Sequence, residues 1–275
     1  MAKRLTDGQR ADFRDRGFAF PVRVMSRAEA DAGRRALEAA EAAHAGLTKR
    51  QRNYGLFRVK PHLLFTWLDR IVHHPALLDA VEDLIGPDIL VWSSSLFIKD
   101  AHDPAYIAWH QDSYTYGLEG SALVTAWVAL TDATVENGAM RFLDGSHRLG
   151  RLAHDETHAE HDLSSQGETV RLAVDGRMAV DVVLRAGEAS LHQFELVHSS
   201  NPNRSDGRRI GYAIRYFAPT MRRTGKPATV MLARGHAGQE WMLEPRPRAD
   251  EDRAALAAHA NAIGVRAAEM RRLDE

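Results

Sequence analysis

Residues 106–119 read Y-I-A-W-H-Q-D-S-Y-T-Y-G-L-E, and the fold turns on taking this stretch as a strand that runs into a loop. On an extended strand side chains alternate between faces, so His110 and Asp112, one residue apart, project to the same side. An imidazole and a carboxylate on one face supply two thirds of a 2-His-1-carboxylate site, which holds an iron ion while leaving coordination positions open. The third ligand must come from another strand. A second pair of this kind, His158 and Glu160, lies in A-H-D-E-T-H-A-E-H-D, a polar stretch without strand alternation that reads as a solvated loop.

Outward from Tyr106 the chain keeps a β character. Strands are expected at Ile89–Ile98, Tyr106–Asp112, Ala122–Leu130, Ala139–Leu143, Val170–Val174, Met178–Leu184, Ala189–Val197 and Arg209–Phe217. Turn signals separate them at Asn137-Gly138, Asp144-Gly145, Asp175-Gly176, Ala186-Gly187 and Asp206-Gly207. Short strands with spaced turns predict a double-sheet jelly roll, a cupin-like double-stranded β-helix whose inner face can enclose a ligand. Thr6 caps a helix that Gly17 stops near Arg16, and Ser26 caps an Ala-rich helix ending near His44. Helical patterning returns over His62–His73, from Pro75 to Gly86, and in the closing segment Asp250–Arg272. Leu47–Lys60 mixes basic and aromatic residues without period, a loop placed to act as a lid. The fold class is mainly β with flanking α-helices, in a single domain over 1–275. Its parts are a helical N-terminal region (1–88), a jelly-roll core (89–217) and a C-terminal extension with a terminal helix (218–275).

Composition narrows the chemistry. With 275 residues, 44% hydrophobic and 27% charged, the chain can bury a sizeable core. Lys and Arg number 36 against 37 Asp and Glu, so no basic field favours nucleic acid or an anionic membrane. The absence of cysteine removes disulfides, thiolate zinc sites, iron–sulfur clusters and a Cys nucleophile together, leaving His, Asp and Glu as metal ligands. No apolar leader or membrane span is read, and a cytoplasmic protein is expected.

The second imidazole is sought on a later strand. In A-S-L-H-Q-F-E-L-V-H (189–198), Ser190, His192, Phe194, Leu196 and His198 share one face, so parity admits both His192 and His198. On a straight strand they would lie roughly 20 Å apart, and only one could reach the metal. His198, at the strand end before S-S-N-P-N-R-S-D-G, is preferred. In the following strand R-R-I-G-Y-A-I-R-Y-F (208–217), Ile210, Tyr212, Ile214 and Tyr216 make a bulky face, while Arg209, Gly211, Ala213, Arg215 and Phe217 share the other. Gly211 and Ala213 leave room beside Arg209, whose planar fork suits a carboxylate. Arg208 has the wrong parity. Arg215 has the right parity but lies roughly 20 Å further along, where it serves a substrate or pairs in the wall.

These residues resemble the phytanoyl-CoA dioxygenase-like branch of the Fe(II)/2-oxoglutarate-dependent oxygenases. The resemblance runs from roughly Leu5 to Pro245. It is most specific in W-H-Q-D (109–112), in W-V-A-L-T-D-A-T-V-E-N-G-A-M-R-F-L-D-G-S-H (127–147) and in V-H-S-S-N-P-N-R-S-D-G-R-R (197–209). It implies that His110, Asp112 and His198 hold Fe(II), and that Arg209 binds the distal carboxylate of 2-oxoglutarate. It also implies that Ser200, Thr125 and Trp127 line the cosubstrate's pocket. The reaction implied consumes O2 and 2-oxoglutarate, gives succinate and CO2, and hydroxylates a C–H bond. In halogenase relatives a small residue replaces the carboxylate ligand; Asp112 therefore favours hydroxylation. Desaturation, epimerisation and ring closure use the same iron centre in other relatives. The competing classes are a non-oxidative metal-dependent isomerase, which would keep the His and Asp ligands without needing Arg209 as a carboxylate clamp, and a metal-binding jelly roll that has lost turnover.

The expected substrate is a small metabolite or natural-product intermediate, partly apolar and bearing an anionic group. Trp109, Tyr114 and Tyr116 flank the metal motif, Phe57 and Arg58 can close over it, and Arg215 is a further candidate contact. No nucleic-acid or membrane partner is expected, and the sequence carries no reading of oligomeric state.

Overall fold

Local signals set the helices. Thr6 and Ser26 each close a capping box, with Gln9 and Glu29 three residues on, and so start α1 (Asp7–Arg16) and α2 (Arg27–Ala43). Gly17 ends α1 at a φ of 91°, the left-handed conformation glycine adopts without strain. A short α3 (Lys49–Arg52) and a π-helical turn over Asn53–Phe57 occupy the stretch expected to be a loop. After a 3-10 turn at Pro61–Leu63 come α4 (Thr66–Val72) and α5 (Pro75–Ile85), the latter with proline at its first position. α6 (Arg253–Met270) lies at the far end. The computed structural model describes residues 2–115, 117–157, 159–163, 168–224 and 228–270.

Between the helices lie β1 (Phe18–Arg23), β2 (Ile89–Lys99), β3 (Ile107–His110), β4 (Leu118–Glu119), β5 (Leu123–Ala129), β6 (Met140–Leu143), β7 (His154–Glu156) and β8 (Glu168–Val170). They are followed by β9 (Ala179–Val182), β10 (Glu188–Gln193), β11 (His198–Ser200), β12 (Arg209–Phe217), β13 (Arg222–Arg223), β14 (Thr229–Arg234) and β15 (Met242–Leu243). One large sheet runs β1-β10-β5-β12-β2-β14-β15 and a smaller one runs β3-β11-β6-β9. All pairs in both are antiparallel except β14 with β15. These are the two sheets of a jelly roll, and the fold is mainly β with flanking helices. The large sheet takes β1, β14 and β15 from outside 89–217.

The alternation along β12 sorts its residues between two cores. Ile210, Tyr212, Ile214 and Tyr216 pack with Leu37, Leu68 and their neighbours on the helical side. There the Tyr216 hydroxyl donates to Val72 O at 2.8 Å. Ala213 faces inward with Trp127, Phe142, Val182 and Phe18. Two strands end earlier than the alternation suggests. The strand holding His110 stops there, and Asp112 opens a 3-10 turn, Asp112–Thr115. The strand expected to run to Val197 leaves the large sheet after Gln193, and the chain resumes as β11 in the small sheet. Among the described residues no helix is long and apolar enough to cross a membrane.

Gly211 is held to glycine by its neighbour across the strand. A methyl carbon there would lie 1.7 Å from Trp127 Cζ2. Gly211→Ala is therefore expected to cost about 1–3 kcal/mol through displacement of the indole, read as a lower urea midpoint with an unchanged slope.

Candidate active site

The corner between the sheets builds the site. His192 is the last but one residue of β10 and His198 begins β11, and the turn between them, closed by Leu196 N–H to Gln193 O at 3.0 Å, folds the chain back. The two imidazoles stand with ring centroids 4.8 Å apart, not the roughly 20 Å of a straight strand. Opposite them, His198 pairs with His110 across β11 and β3, and their rings are 4.1 Å apart. Asp112 reaches the same place by the turn after His110 rather than by strand alternation. Ligand atoms of His110, Asp112 and His198 all lie within 4.8 Å of one another.

Buried polar contacts fix these side chains. Nδ1 of His110 lies 2.9 Å from Ala108 O and Nδ1 of His198 lies 2.9 Å from Leu196 O. A carbonyl only accepts, so each Nδ1 carries the proton and each Nε2 presents a lone pair to the site. Thr125 donates to Asp112 Oδ2 at 2.7 Å, and Arg215 Nη2 stands 3.5 Å from Oδ1. Burial works to raise the Asp112 carboxyl, but the Arg215 charge, with His192 and His198, holds it well below the usual carboxylate range. Burial pushes the His198 imidazole well below its ordinary value, and the neighbouring His110 and His192 add to the effect.

Gln111, between the two motif residues, is 2% exposed and bonded on every side. Its Nε2 donates to Gly150 O (2.8 Å) and Glu195 O (2.7 Å), and its Oε1 accepts from Leu152 N–H (2.8 Å). Its backbone N–H donates to His154 Nε2 at 3.0 Å. His154 belongs to the stretch that reads as a solvated loop; it is instead buried at the head of β7, with Nδ1 on Leu152 O.

The cavity holds about 390 Å3 of empty space and is lined by the three motif residues together with Thr125, Trp127, His192, Ser200, Arg209 and Arg215. Arg209 is 1% exposed, and its Nε and Nη2 have no hydrogen-bond partner. Its guanidinium lies 5.3 Å from the Trp127 ring centroid, and burial lowers its pKa to about 10. Lys99, which the sequence reading passed over, pairs with Arg209 across β2 and β12. Its Nζ donates to Ser200 Oγ at 2.8 Å and to Asn201 O, and burial, with Arg209 nearby, pulls its pKa down to about 6.

The remaining candidates are placed elsewhere. Phe57 is buried in the helix-side core, 5.8 Å from the Phe65 ring. Arg58 stacks at 4.0 Å on Phe97, so that Phe97 and not Arg58 meets the cavity. Trp109 lies 5.6 Å from the Arg141 guanidinium, and Tyr114 stacks on His154 at 4.4 Å; neither lines the cavity. Tyr116 and His158 lie outside the described residues.

Residues 13–211 match the family model described as Phytanoyl-CoA dioxygenase (PhyH), and the chain belongs to that family. Among solved structures it is similar to the non-heme monooxygenase ThoJ in its apo form, with 38% identity and a TM-score of 0.86 over 96% of this chain and 98% of that one. A nickel complex of ThoJ matches at 36% identity and a TM-score of 0.80, over 96% and 99% of the two chains. A probable alpha-ketoglutarate-dependent hypophosphite dioxygenase of Stutzerimonas stutzeri is 30% identical over 56% of this chain and 55% of its own. L-proline trans-4-hydroxylase of Streptomyces griseoviridis is 30% identical over 54% and 61%. The matched region thus spans little more than half the length of these two relatives.

Lys99 makes the stability of the metal-free protein depend on pH. Its proton binds near the ordinary value of 10.5 in the unfolded chain and near 6 in the fold. Between those values the unfolded state holds more protons, so the Lys99 contribution rises with pH across that window. Lys99→Met is expected to be more stable than wild type near pH 6, by about 1–3 kcal/mol, with the difference fading towards pH 10. Urea midpoints at pH 6, 8 and 10 check this; a constant difference would refute it.

Proposed function

We propose that the chain is an Fe(II)- and 2-oxoglutarate-dependent oxygenase that hydroxylates a C–H bond of a small metabolite or natural-product intermediate. The observation that carries this reading is one cavity with two unlike parts. A facial set of His, Asp and His donors lies in one, and a buried guanidinium with two unpartnered nitrogens lies in the other.

The residues fit both groups. Nε2 of His110 and of His198 and the Asp112 carboxylate would suit a borderline divalent metal such as Fe(II). The unsatisfied nitrogens of Arg209 fit a carboxylate, which would neutralise a buried cation and accept a forked pair of hydrogen bonds. Ser200, whose hydroxyl accepts from Lys99, lines the same cavity as Arg209. Thr125 orients Asp112, and Trp127 props Arg209 with its ring. Phe97, Ile107, Met140 and Ala213 give the apolar part of the lining, which keeps water from the reacting bond. Bound iron and cosubstrate supply the activation of O2, with 2-oxoglutarate leaving as succinate and CO2 and one oxygen atom passing to the substrate. Asp112, as a ligating carboxylate, favours hydroxylation over halogenation.

Anaerobic addition of Fe(II) and 2-oxoglutarate to the protein is expected to give the weak visible charge-transfer band of the chelate. Arg209→Met should need at least ~10-fold more cosubstrate for the same band, because removing a buried charge partner of a carboxylate costs about 2–5 kcal/mol. Iron that binds without any band in the wild type would remove the cosubstrate and leave a non-oxidative metal site as the better reading.

A further inference from the structure

His192 has no role in the reading above, yet it is among the least satisfied side chains in the molecule. It is 1% exposed, and neither ring nitrogen has a hydrogen-bond partner. An imidazole carries at least one N–H in any protonation state, so a buried donor is left unused. Its surroundings offer little. Phe18 is its cross-strand neighbour, the Phe142 ring is 5.0 Å away, and His198 is 4.8 Å away. The polar group it faces is Asp112, whose Oδ2 is 3.7 Å from His192 Nε2. That exceeds hydrogen-bond range by less than an ångström.

The register of the large sheet explains why His192 stands there. His192 pairs with Thr125, and Thr125 pairs with Arg215, so the three side chains form a row across β10, β5 and β12 on the inner face. All three address one carboxylate. Thr125 donates to Oδ2, His192 approaches the same oxygen, and Arg215 stands beside Oδ1. Two features separate His192 from the other roles the cavity offers. It lies outside the group of mutually close ligand atoms formed by His110, Asp112 and His198. It also lies level with Arg215, six residues along β12 from Arg209, the carboxylate clamp of the proposed reading.

We infer that His192 is a positioning residue for Asp112, donating through its imidazole to Oδ2 alongside Thr125 and so fixing the carboxylate's orientation for the metal. This rests on the metal reading of His110, Asp112 and His198. It adds that the ligand set depends on a third histidine that does not itself ligate.

Co(II), whose visible spectrum reports its coordination, is the probe. It would be titrated into wild type, Asp112→Ala, His192→Leu and His192→Gln, with thermal unfolding of each metal-free protein as a control. His192→Leu is expected to fold, since an apolar side chain removes an unsatisfied donor. It should bind Co(II) about 10–100-fold more weakly with an altered spectrum, the usual effect of losing a group that orients a ligand. His192→Gln, which keeps an N–H donor, should recover most of that affinity. The 2-oxoglutarate concentration that half-shifts the Co(II) spectrum should be unchanged in His192→Gln, because Arg209 is untouched. Co(II) binding to a folded His192→Leu as tight as to wild type would overturn the inference. Equal weakening by Leu and Gln would also overturn it, since packing and not the donor would then matter. Equal binding by wild type and Asp112→Ala would instead sink the metal site itself, an outcome distinct from failure of the His192 role alone.

Discussion

The side-chain amide of Gln111 joins three segments distant in sequence, and the geometry of the site depends on it. Its two donors hold Gly150 O and Glu195 O, and its acceptor holds Leu152 N–H. Glu195 lies in the corner that carries the chain from β10 to β11, so the amide fixes that corner relative to the end of β3. The Ser113 N–H on Phe194 O, at 2.9 Å, adds a second tie between the same segments. Each such bond contributes about 1 kcal/mol net, while a buried partner left unsatisfied costs about 1–3 kcal/mol. The arrangement is therefore stiff in the direction that matters, since Asp112 sits on one tied segment and His198 starts just beyond the other. A metal site with open positions needs that stiffness, because its ligands receive no help from a closed coordination shell.

Electrostatics on the inner face pull against stability. Arg209 and Arg215 are buried around a space to which Asp112 contributes a carboxylate, and Lys99 is buried behind it, paired in register with Arg209. The lowered values of Arg209 and Lys99 have burial as their first cause, and Lys99 is depressed further by Arg209. Uncompensated buried charge is costly, and a fold shaped by stability alone would not place a guanidinium with two idle nitrogens beside a buried ammonium. An anionic ligand reverses the sign of that cost. On the proposed reading such a ligand meets guanidinium donors already oriented towards it. On that reading the cost marks the anion site, as expected where function and not folding chose the residues.

Much of this was legible in the sequence, and the failures have physical reasons. Alternation along β12 separated Arg209 from Arg208 because that strand is long and flanked on both sides, so parity persists over its whole length. The capping boxes at Thr6 and Ser26 were local and complete. A strand pattern does not show where a chain changes sheets: parity continues through Phe194 while the backbone turns, so His192 and His198 lie far closer than on a straight strand. Lys99 sat one residue beyond the strand as bounded by apolar pattern, and its neighbour Arg209 is visible only from register. Gln111 and His154 work through backbone groups far away in sequence, which composition does not encode. Trp109 could have been set aside beforehand, since it is adjacent to His110 on a strand and must point to the opposite face.

The division of labour between sheet and loops bears on how such a site varies. Thr125, Trp127, His192, Arg209 and Arg215 are borne by three paired strands of the large sheet, where a change of register would move every one of them at once. Gly211 and Trp127 are coupled further, because the indole occupies the space a side chain at 211 would need and supports Arg209 in turn. These positions form a single unit that tolerates little change. The turn Asp112–Thr115 and the β7–β8 hairpin border the motif from the other side, and Tyr114 and His154 stack there without entering the cavity. His110, Asp112 and His198, by contrast, come from β3, the turn after it and β11, so the proposed metal site depends on how the small sheet faces the large one as much as on the large sheet's own register.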